Sequence, residues 1–374
     1  MKSLGLYLHI PFCRSKCHYC DFCSLPRPDE GLVQDYVAAL ARDLCHRAPE
    51  AREYEVNTVY VGGGTPTYLS GETLASLLEI VKENYLLTPD AEISVECNPA
   101  TADREKLSIM RQAGFNRLSV GLQSIHKEEL RALGRIHTVE DVERILADAR
   151  SVGFENLSAD VMSGIPHQTV ESYLATLAWL TQRDVSHISS YGLIIEEGTP
   201  FAAHEEELPL PDEETARQMY LAGAELLESR GYAQYEISNF ARPGRASRHN
   251  LRYWNAEEFL GFGPAAYSDF GGARFGYVRD LVAYIEGREA FESFERPSSD
   301  ERREEYVMLR LRLAEGIDLS KVEERFGTSA AATYAERLSR YLPLRLVRRT
   351  PKGFALTREG MYVSNAILSE VLDL

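Results

Sequence analysis

The sequence is poor in positive charge and has no long apolar run. Its 41 lysines and arginines are outnumbered by 57 aspartates and glutamates, which gives a formal net charge of −16 at pH 7. This deficit argues against broad, non-specific nucleic-acid binding, which depends on surface cations. The apolar stretch nearest the N-terminus, residues 6–12, is interrupted by His9 and is too short for a signal peptide or a membrane span. We therefore expect a cytoplasmic protein with no membrane span and no nucleic-acid partner.

Cysteine is also scarce, and its distribution is uneven. Of six cysteines in 374 residues, four lie in the segment CRSKCHYCDFC, behind the first predicted strand. A disulfide framework is typical of short, cysteine-dense secreted chains, so this clustering favours metal or redox chemistry. Cys13, Cys17 and Cys20 are separated by three and two residues, whereas structural zinc prefers two pairs with two intervening residues each. Three thiolates at this spacing can hold three irons of a [4Fe–4S] cluster and leave the fourth iron open.

Strand-like apolar runs alternate with helical patterns over the first 200 residues. The predicted strands are LGLYLHI, NTVYVGGG, AEISVECNP, NRLSVGLQS, ENLSADVMSGIP and HISSYGLII. This alternation predicts an α/β fold with a parallel sheet covered by helices. The six units have the spacing of a barrel, and polar residues gather at their strand ends, which favours a partial (β/α)6 barrel. A flavodoxin-like open sheet is the alternative on pattern alone.

The chain changes character after Pro200. We expect three regions: the barrel core at 1–200, an extension at 201–296, and a small α+β, mostly helical C-terminal domain at 297–374. The extension begins with an acidic linker and a helix. Its segment 232–272 is rich in glycine, aromatic residues and arginine, and we predict loops and short strands there.

Polar residues end three successive predicted strands. Glu96 in SVECNP, Gln123 in VGLQS and Asp160 in SADVMSGIP are poorly suited to a strand interior unless they are hydrogen-bonded. Because parallel α/β folds place their sites at the carboxyl ends of strands, we expect all three to face one cavity. The alternative is that each is an exposed loop residue. The glycine run in VYVGGGTPT would let the backbone approach a ligand closely, although tight turns also use such runs.

The pattern C-x3-C-x2-C behind the first strand of an α/β chain is the signature of radical S-adenosylmethionine (SAM) proteins. Together with YLHIPFC, YCDF, VYVGGGTPT, ECNP, GLQS, GRIHT, D-x-M-x-GIP-x-QT and HNLRYW, it resembles the family of oxygen-independent coproporphyrinogen III dehydrogenases and, within it, the heme-chaperone branch HemW. The resemblance implies that the open iron binds the amino and carboxylate groups of SAM. It also implies that an electron from the cluster cleaves a carbon–sulfur bond of SAM to give a 5′-deoxyadenosyl radical.

The resemblance also implies which residues form the sites. The cluster ligands are Cys13, Cys17 and Cys20. The cofactor contacts are Tyr7, Tyr19, Gly63, Gly64, Thr65, Glu96, Gln123, Arg135, Asp160, Gly192 and Tyr267. The dehydrogenase binds a second SAM molecule, which some of these residues would serve.

Two departures from the dehydrogenase pattern favour the chaperone branch. The dehydrogenase typically has a fourth cysteine two positions after the third, but Phe22 stands there and Cys23 follows one residue later. The first strand begins at Leu4, so the dehydrogenase's N-terminal arm is missing. The alternatives to a heme chaperone are an enzyme that oxidatively decarboxylates coproporphyrinogen III and a radical enzyme that modifies heme.

The resemblance implies heme contact at the segment HNLRYW, with His249 as the candidate iron ligand. Tyr253 and Trp254 could stack on the porphyrin, and Arg248, which precedes the segment, could bind a propionate. Arginines recur every three residues over 242–248, and guanidinium groups pair well with carboxylates. The alternatives are a histidine bonded to backbone and a solvated basic loop. A chaperone would also need a heme acceptor protein and an electron donor such as a flavodoxin or ferredoxin.

Overall fold

The computed structural model describes residues 1–288 and 291–372. Its strands are β1 (Lys2–Ile10), β2 (Phe12–Cys13), β3 (Leu25–Pro26), β4 (Tyr54–Gly63), β5 (Leu87–Cys97), β6 (Arg117–Gln123), β7 (Asn156–Ser163), β8 (His187–Gly192), β9 (Ala233–Gln234), β10 (Asn239–Ala241), β11 (Phe259–Phe262), β12 (Tyr267–Phe270), β13 (Ala273–Tyr277), β14 (Phe291–Glu295), β15 (Ile317–Asp318), β16 (Val347–Thr350) and β17 (Gly353–Leu356).

The α-helices lie between and after these strands. They are α1 (Glu30–Arg47), α2 (Gly71–Asn84), α3 (Arg104–Ala113), α4 (Lys127–Ala132), α5 (Val139–Ser151), α6 (Val170–Thr181), α7 (Pro200–Ala203), α8 (Glu213–Ser229), α9 (Arg248–Trp254), α10 (Leu281–Ile285), α11 (Ser299–Leu311), α12 (Leu319–Phe326), α13 (Thr328–Ser339), α14 (Arg358–Tyr362) and α15 (Ser364–Leu372). Within the described ranges, none of them combines the length and the apolar character that crossing a bilayer requires.

Parallel strands form the centre of a twelve-stranded sheet. Their order is β11-β1-β4-β5-β6-β7-β8, and every neighbouring pair among them is parallel. From β1 to β8 each long strand lies beside the long strand that follows it in the chain, which is the order of a barrel. This confirms the predicted partial barrel of α/β class and excludes the flavodoxin-like order, in which the second strand lies outside the first. The parallel strand β11 was not predicted.

The strands are apolar because helices cover the sheet. Leu4, Leu6 and Leu8 on β1 are buried in one large core that includes the inner faces of the helices, so the helix-covered face of the sheet is apolar. The crossover helices begin at capping residues: the side chains of Ser70 and Thr138 accept backbone N–H groups in the first turns of α2 and α5. Such caps fix where each helix starts behind a strand end.

Antiparallel strands extend both edges of the sheet. β10 and β9 follow β8, and β12, β13 and β14 follow β11. Among the described strands, the two outermost, β14 and β9, do not pair with each other, so the barrel is open along one side. The predicted helix of the extension corresponds to α8, and the predicted acidic linker corresponds to the residues just before it.

Helix α9 is a correction to the prediction of loops and short strands over 232–272. Ser247 caps it locally by accepting the N–H of Asn250. In addition, the Glu92 carboxylate on β5 accepts the backbone N–H groups of Arg248 and His249 at 3.1 and 3.2 Å. A carboxylate at a helix N-terminus is stabilising. Because this one lies 156 positions earlier in the chain, the local sequence does not reveal it.

The C-terminal residues enclose a second buried cluster, which includes Val307, Leu311, Phe354 and Leu368. This unit docks on the sheet edge near β9. The N–H of Ala314 donates to Tyr235 O at 3.0 Å, and Glu236 and Leu313 form an isolated antiparallel bridge. The C-terminal unit is thus tied by backbone hydrogen bonds to the short segment between β9 and β10.

Candidate cofactor site

A cavity of about 550 Å³ lies at the carboxyl ends of the parallel strands, beside the cysteine segment. This volume is in the range that small-molecule cofactors occupy. The predicted site residues that line it are Cys13, Cys17, Tyr19, Cys20, Gly63, Gly64, Thr65, Glu96, Gln123, Arg135, Asp160 and Gly192. The strand order therefore brings most of the predicted contacts to one space.

The cysteines lie in a loop that is anchored at its ends and in its middle. β2 pairs with β3, which closes the loop. His18 N–H donates to Leu133 O, and Phe201 N–H donates to His18 O, both at 3.1 Å. The thiols are free, and burial raises the pKa of Cys13 and of Cys20. A buried thiol ionises more readily when a bound metal takes up the charge of the thiolate. Three soft donors around one cavity fit a [4Fe–4S] cluster that is held through three of its irons.

The glycine run after β4 lies against the first cysteine. Thr65 Oγ1 donates a hydrogen bond to Cys13 Sγ at 3.5 Å. A Cβ atom on Gly64 would lie 2.8 Å from Phe12 O and 3.1 Å from Cys13 Sγ. Since real side chains do not approach backbone oxygen so closely, only glycine lets this strand end contact the cysteine loop.

Glu96, the penultimate residue of β5, is a half-buried carboxyl near its point of half-ionisation. Tyr60 Oη donates to Oε1 at 2.9 Å, and Gly63 N–H donates to Oε2 at 3.1 Å. Burial, together with the nearby Asp160 carboxylate, raises the pKa of Glu96 to about 7. A ligand that donates hydrogen bonds or brings positive charge would favour the ionised form. Glu96 is therefore suited to such a ligand.

Asp160 and Arg135 line another part of the cavity. Burial raises the pKa of Asp160, against the opposing effect of hydrogen bonds from Ser189 and Ser119; Ser119 Oγ is 3.2 Å from Oδ1. The Nε of Arg135 is buried without a hydrogen-bond partner, whereas buried guanidinium donors are normally satisfied. An orphaned cationic donor at a cavity wall is expected where a ligand supplies a carboxylate.

Gln123 adopts an unusual backbone conformation at the end of β6. Its φ is 67°, in the left-handed region that non-glycine residues rarely adopt and that clusters at functional sites. The conformation accompanies an irregular register between β6 and β7. Its Oε1 accepts a hydrogen bond from Tyr191 Oη at 3.0 Å, which fixes the amide at the cavity wall.

Two of the proposed cofactor contacts are not among the residues that line the cavity. Tyr7 stacks on Tyr60 with ring centroids 6.3 Å apart, and its hydroxyl is 3.0 Å from His9 Nδ1. Tyr7 therefore supports a cavity residue from behind. Tyr267 lies on β12 with its side chain about half exposed, and neither its position nor its contacts connect it to the cavity.

Sequence reasoning missed several lining residues, of which the polar and sulfur-containing ones are Ser15, Lys16, Asp21, Tyr60, Cys97, Asn98, Ser119, Met162, Ser189, Tyr191, Glu196, Ser238 and Asn239. For some of these residues the sequence contains a pattern that could have predicted them. Ser119 and Tyr60 lie two residues before glycines at strand ends, and side chains two apart on a strand share a face. Polar residues at alternate positions would have predicted this inner face. Ser238 and Asn239 come from the short segment at β10 and had no such pattern.

The predicted iron ligand His249 lies on α9, behind the cavity wall, and is not itself a lining residue. It is almost fully buried, with Nδ1 2.9 Å from Thr58 Oγ1 and Nε2 2.8 Å from Tyr253 Oη. Its ring stacks on Tyr60 at 5.2 Å. Burial, reinforced by Arg252, lowers the pKa of His249 to about 3. The imidazole is thus neutral, and in this conformation neither nitrogen is available to an iron.

The other predicted heme contacts lie on α9 or in the segment just before it. Tyr253 is engaged by His249, and Trp254 is partly exposed at the last residue of α9. The three arginines are each paired with an acidic side chain: Arg242 with Asp184 at 3.4 Å, Arg245 with Glu155 at 3.9 Å and Arg248 with Asp90 at 3.2 Å. Exposed pairs of this kind contribute little stability, so a propionate would compete with weak partners.

Known proteins define the class to which this fold and site belong. The model of the radical SAM superfamily matches residues 7–180, and that of the HemN C-terminal domain matches residues 298–363. The structure of coproporphyrinogen III oxidase (HemN) from Escherichia coli superposes with a TM-score of 0.86 and 27% identity, covering 99% of this chain and 90% of that one. The protein is a radical SAM protein with a HemN C-terminal domain.

Curated relatives narrow this class to a family. The heme chaperone HemW of Bacillus subtilis is 34% identical, with coverage of 100% of this chain and 99% of that protein. The heme chaperone HemW of Escherichia coli is 38% identical over 71% of this chain and 70% of that protein. The chain belongs to the HemW family.

Proposed function

We propose that this protein is a heme chaperone, which binds heme and delivers it to an acceptor protein. The observation that carries the proposal is the full-length similarity to relatives named heme chaperone HemW. The similarity includes the barrel, the extension and the C-terminal unit, and is not confined to the cofactor-binding core that many radical enzymes share. We place the activity in the cytoplasm, with a flavodoxin or ferredoxin as electron donor.

We further propose that the cavity holds a [4Fe–4S] cluster on Cys13, Cys17 and Cys20, with SAM beside it. When bound, the two groups supply one-electron reduction and radical chemistry. The protein's own contribution is binding and orientation. The Arg135 guanidinium would pair with the SAM carboxylate, and the Glu96 carboxyl would accept hydrogen bonds from ligand N–H or O–H groups.

The second candidate function is oxidative decarboxylation of coproporphyrinogen III. It is favoured by the superposition on HemN, whose TM-score is 0.86. Phe22, which stands where the dehydrogenase typically has its fourth cysteine, disfavours it. The side chain of Phe22 lines the cavity and is 62% exposed, so the mouth of the cavity is apolar at this position.

One sample can distinguish the two functions. The full chain is reconstituted with iron and sulfide without oxygen, titrated with hemin, and then supplied with coproporphyrinogen III, SAM and a reductant. We expect saturable heme binding and no release of carbon dioxide. Carbon dioxide release with vinyl products would instead support the decarboxylase, and a wild-type protein that binds no heme would contradict the chaperone.

The substitution Gly64→Ala is expected to reduce cluster content by more than half. The new Cβ would lie 2.8 Å from Phe12 O, so the strand end must move away from the loop that carries Cys13. Iron and acid-labile sulfide per chain measure the effect. Gly198→Ala is the control, since nothing lies within 4 Å of its added Cβ even though its own φ is positive. Equal cluster content in both variants would show that this contact is dispensable.

SAM affinity is expected to fall about tenfold between pH 8 and pH 6, because one proton must leave Glu96 for the ligand to bind its ionised form. The pKa of Glu96 is raised to about 7, so the carboxyl is mostly protonated at the lower pH and mostly ionised at the higher one. Calorimetric titration with SAM across this range measures the effect. Glu96→Gln cannot ionise and should have weaker, flatter binding. Parallel pH profiles in the two proteins would rule out this role for Glu96.

A further inference from the structure

A second large cavity lies away from the cysteine loop. Its volume is about 670 Å³, and it lies between helix α1 and the elements β13, α10 and β14. Five aromatic side chains line it: Phe275, Tyr277, Tyr284, Phe291 and Phe294. Phe291 and Phe294 are 42% and 58% exposed, although rings of this size are normally buried. Contiguous exposed apolar side chains around a cavity are a feature of ligand-binding grooves.

Ring contacts and hydrogen bonds connect the residues of the aromatic wall. Phe275 and Phe294 are stacked with ring centroids 6.1 Å apart and an interplanar angle of 19°. Tyr277 and Tyr284 both donate hydrogen bonds to Asp43 Oδ2, at 2.9 and 2.8 Å. The Asp43 carboxylate is therefore satisfied by protein donors, and it holds the two tyrosine rings in place. A preformed aromatic wall suits a flat, apolar ligand face.

One face of helix α1 supplies the polar side of the cavity. Arg42, Asp43, His46 and Arg47 recur at helical spacing on this face, since residues three and four apart are neighbours on a helix. Arg47 forms a salt bridge with Glu50 at 3.0 Å, so its positive charge is largely compensated by a carboxylate of the protein itself. Arg42 and His46 are exposed at the cavity.

The rim also carries cations that can bind an anion. Arg42 Nη2 donates to Ile285 O at 3.0 Å, and its planar guanidinium has further N–H donors. Arg288 lines the cavity and lies 2.7 Å from Glu286, in a pair that is more than half exposed on both sides. An exposed pair of this kind is readily exchanged for a ligand carboxylate. The three arginines outnumber Asp43 and Glu50, although the whole chain has a net charge of −16.

We propose that this cavity is the heme seat, with the macrocycle against the aromatic wall, the propionates on Arg42 and Arg288, and His46 on the iron. This inference rests on the proposed chaperone function. The ligand chemistry matches the lining in each part: apolar porphyrin faces meet aromatic rings, carboxylates meet guanidinium groups, and iron accepts a neutral imidazole. His249, in contrast, has both ring nitrogens engaged inside the protein.

The test is a hemin titration of the full-length, cluster-reconstituted protein, followed by the Soret band. His46→Ala should shift the band and weaken binding at least about tenfold, and Arg42→Ala/Arg288→Ala should weaken binding about tenfold without moving the band, since each charged hydrogen bond is strong. His204→Ala, which removes another exposed imidazole outside the cavity, should change neither property. All these side chains are exposed or half exposed, so the variants should fold.

The possible failures are distinguishable. Unchanged Soret position and affinity in both cavity variants, with heme still bound by the wild type, would overturn this site and leave the chaperone function standing. Competition between saturating SAM and heme would also overturn it, because it would place heme in the first cavity. A wild-type protein that binds no heme would overturn both the site and the proposed function.

Discussion

Protein with Cys13, Cys17 and Cys20 all replaced by serine is expected to hold no iron–sulfur cluster after anaerobic reconstitution. The three thiols line one cavity, and serine hydroxyls are hard, weakly acidic groups that replace thiolates poorly on iron. Iron and acid-labile sulfide should therefore fall from about four of each per chain in the wild type, as a four-iron cluster requires, to background in the variant. The visible absorption of the cluster should disappear with them.

Cys23→Ser provides the matched control for this experiment. Cys23 lies in the same loop and is partly exposed, but it is outside the three-cysteine pattern and does not line the cavity. This variant should keep full iron and sulfide. Similar uptake by the triple variant and the wild type would refute the cluster site and, with it, every step of the proposed radical chemistry.

His249→Ala is expected to destabilise the apo-protein by about 2–4 kcal/mol, because it leaves a cavity and two buried hydroxyls without their partner. The hydroxyls are those of Thr58 and Tyr253. The loss should reach the cofactor site, since the imidazole stacks on Tyr60, and Tyr60 Oη donates to Glu96. Urea unfolding measures the stability, and calorimetry should show weaker SAM binding.

Tyr253→Phe separates the hydrogen bond from the packing. It keeps the ring against His249 and removes only the hydroxyl, so the loss should be about 1 kcal/mol. An alanine variant that is as stable as the wild type and binds SAM normally, but has lost its heme, would contradict this structural role. That outcome would restore the direct iron contact that the sequence motif suggested.

The sequence predicted the barrel well because the relevant information is local. Each parallel strand of the barrel appears in the sequence as a continuous apolar segment. Crossover helices begin at capping residues such as Ser70 and Thr138. The strand-end residues Glu96 and Asp160 could be grouped because parallel strands place their carboxyl ends at one edge. The cysteine loop could be recognised from the spacing of its three cysteines alone. In all these cases, neighbours in the chain carry the signal.

The failures have a common cause, which is contact between distant residues. Helix α9 depends on the Glu92 carboxylate at its N-terminus, and Nδ1 of His249 is hydrogen-bonded to the hydroxyl of Thr58, 191 positions earlier. No local pattern shows that a histidine in a polar, basic segment is buried. The aromatic cavity beside α1 combines one helix with strands more than 200 positions later, so its residues looked like ordinary helix and strand positions.

The bridge between Glu236 and Leu313 links the C-terminal unit to the cofactor cavity. The Glu236 carboxylate accepts the N–H of Ser238 at 3.1 Å, and Ser238 and Asn239 line that cavity. A partner that binds the C-terminal unit and changes its orientation would displace this part of the cavity wall without entering the cavity. The residues that follow Leu313 are therefore coupled, through this bridge and the Glu236 carboxylate, to the wall of the cofactor cavity.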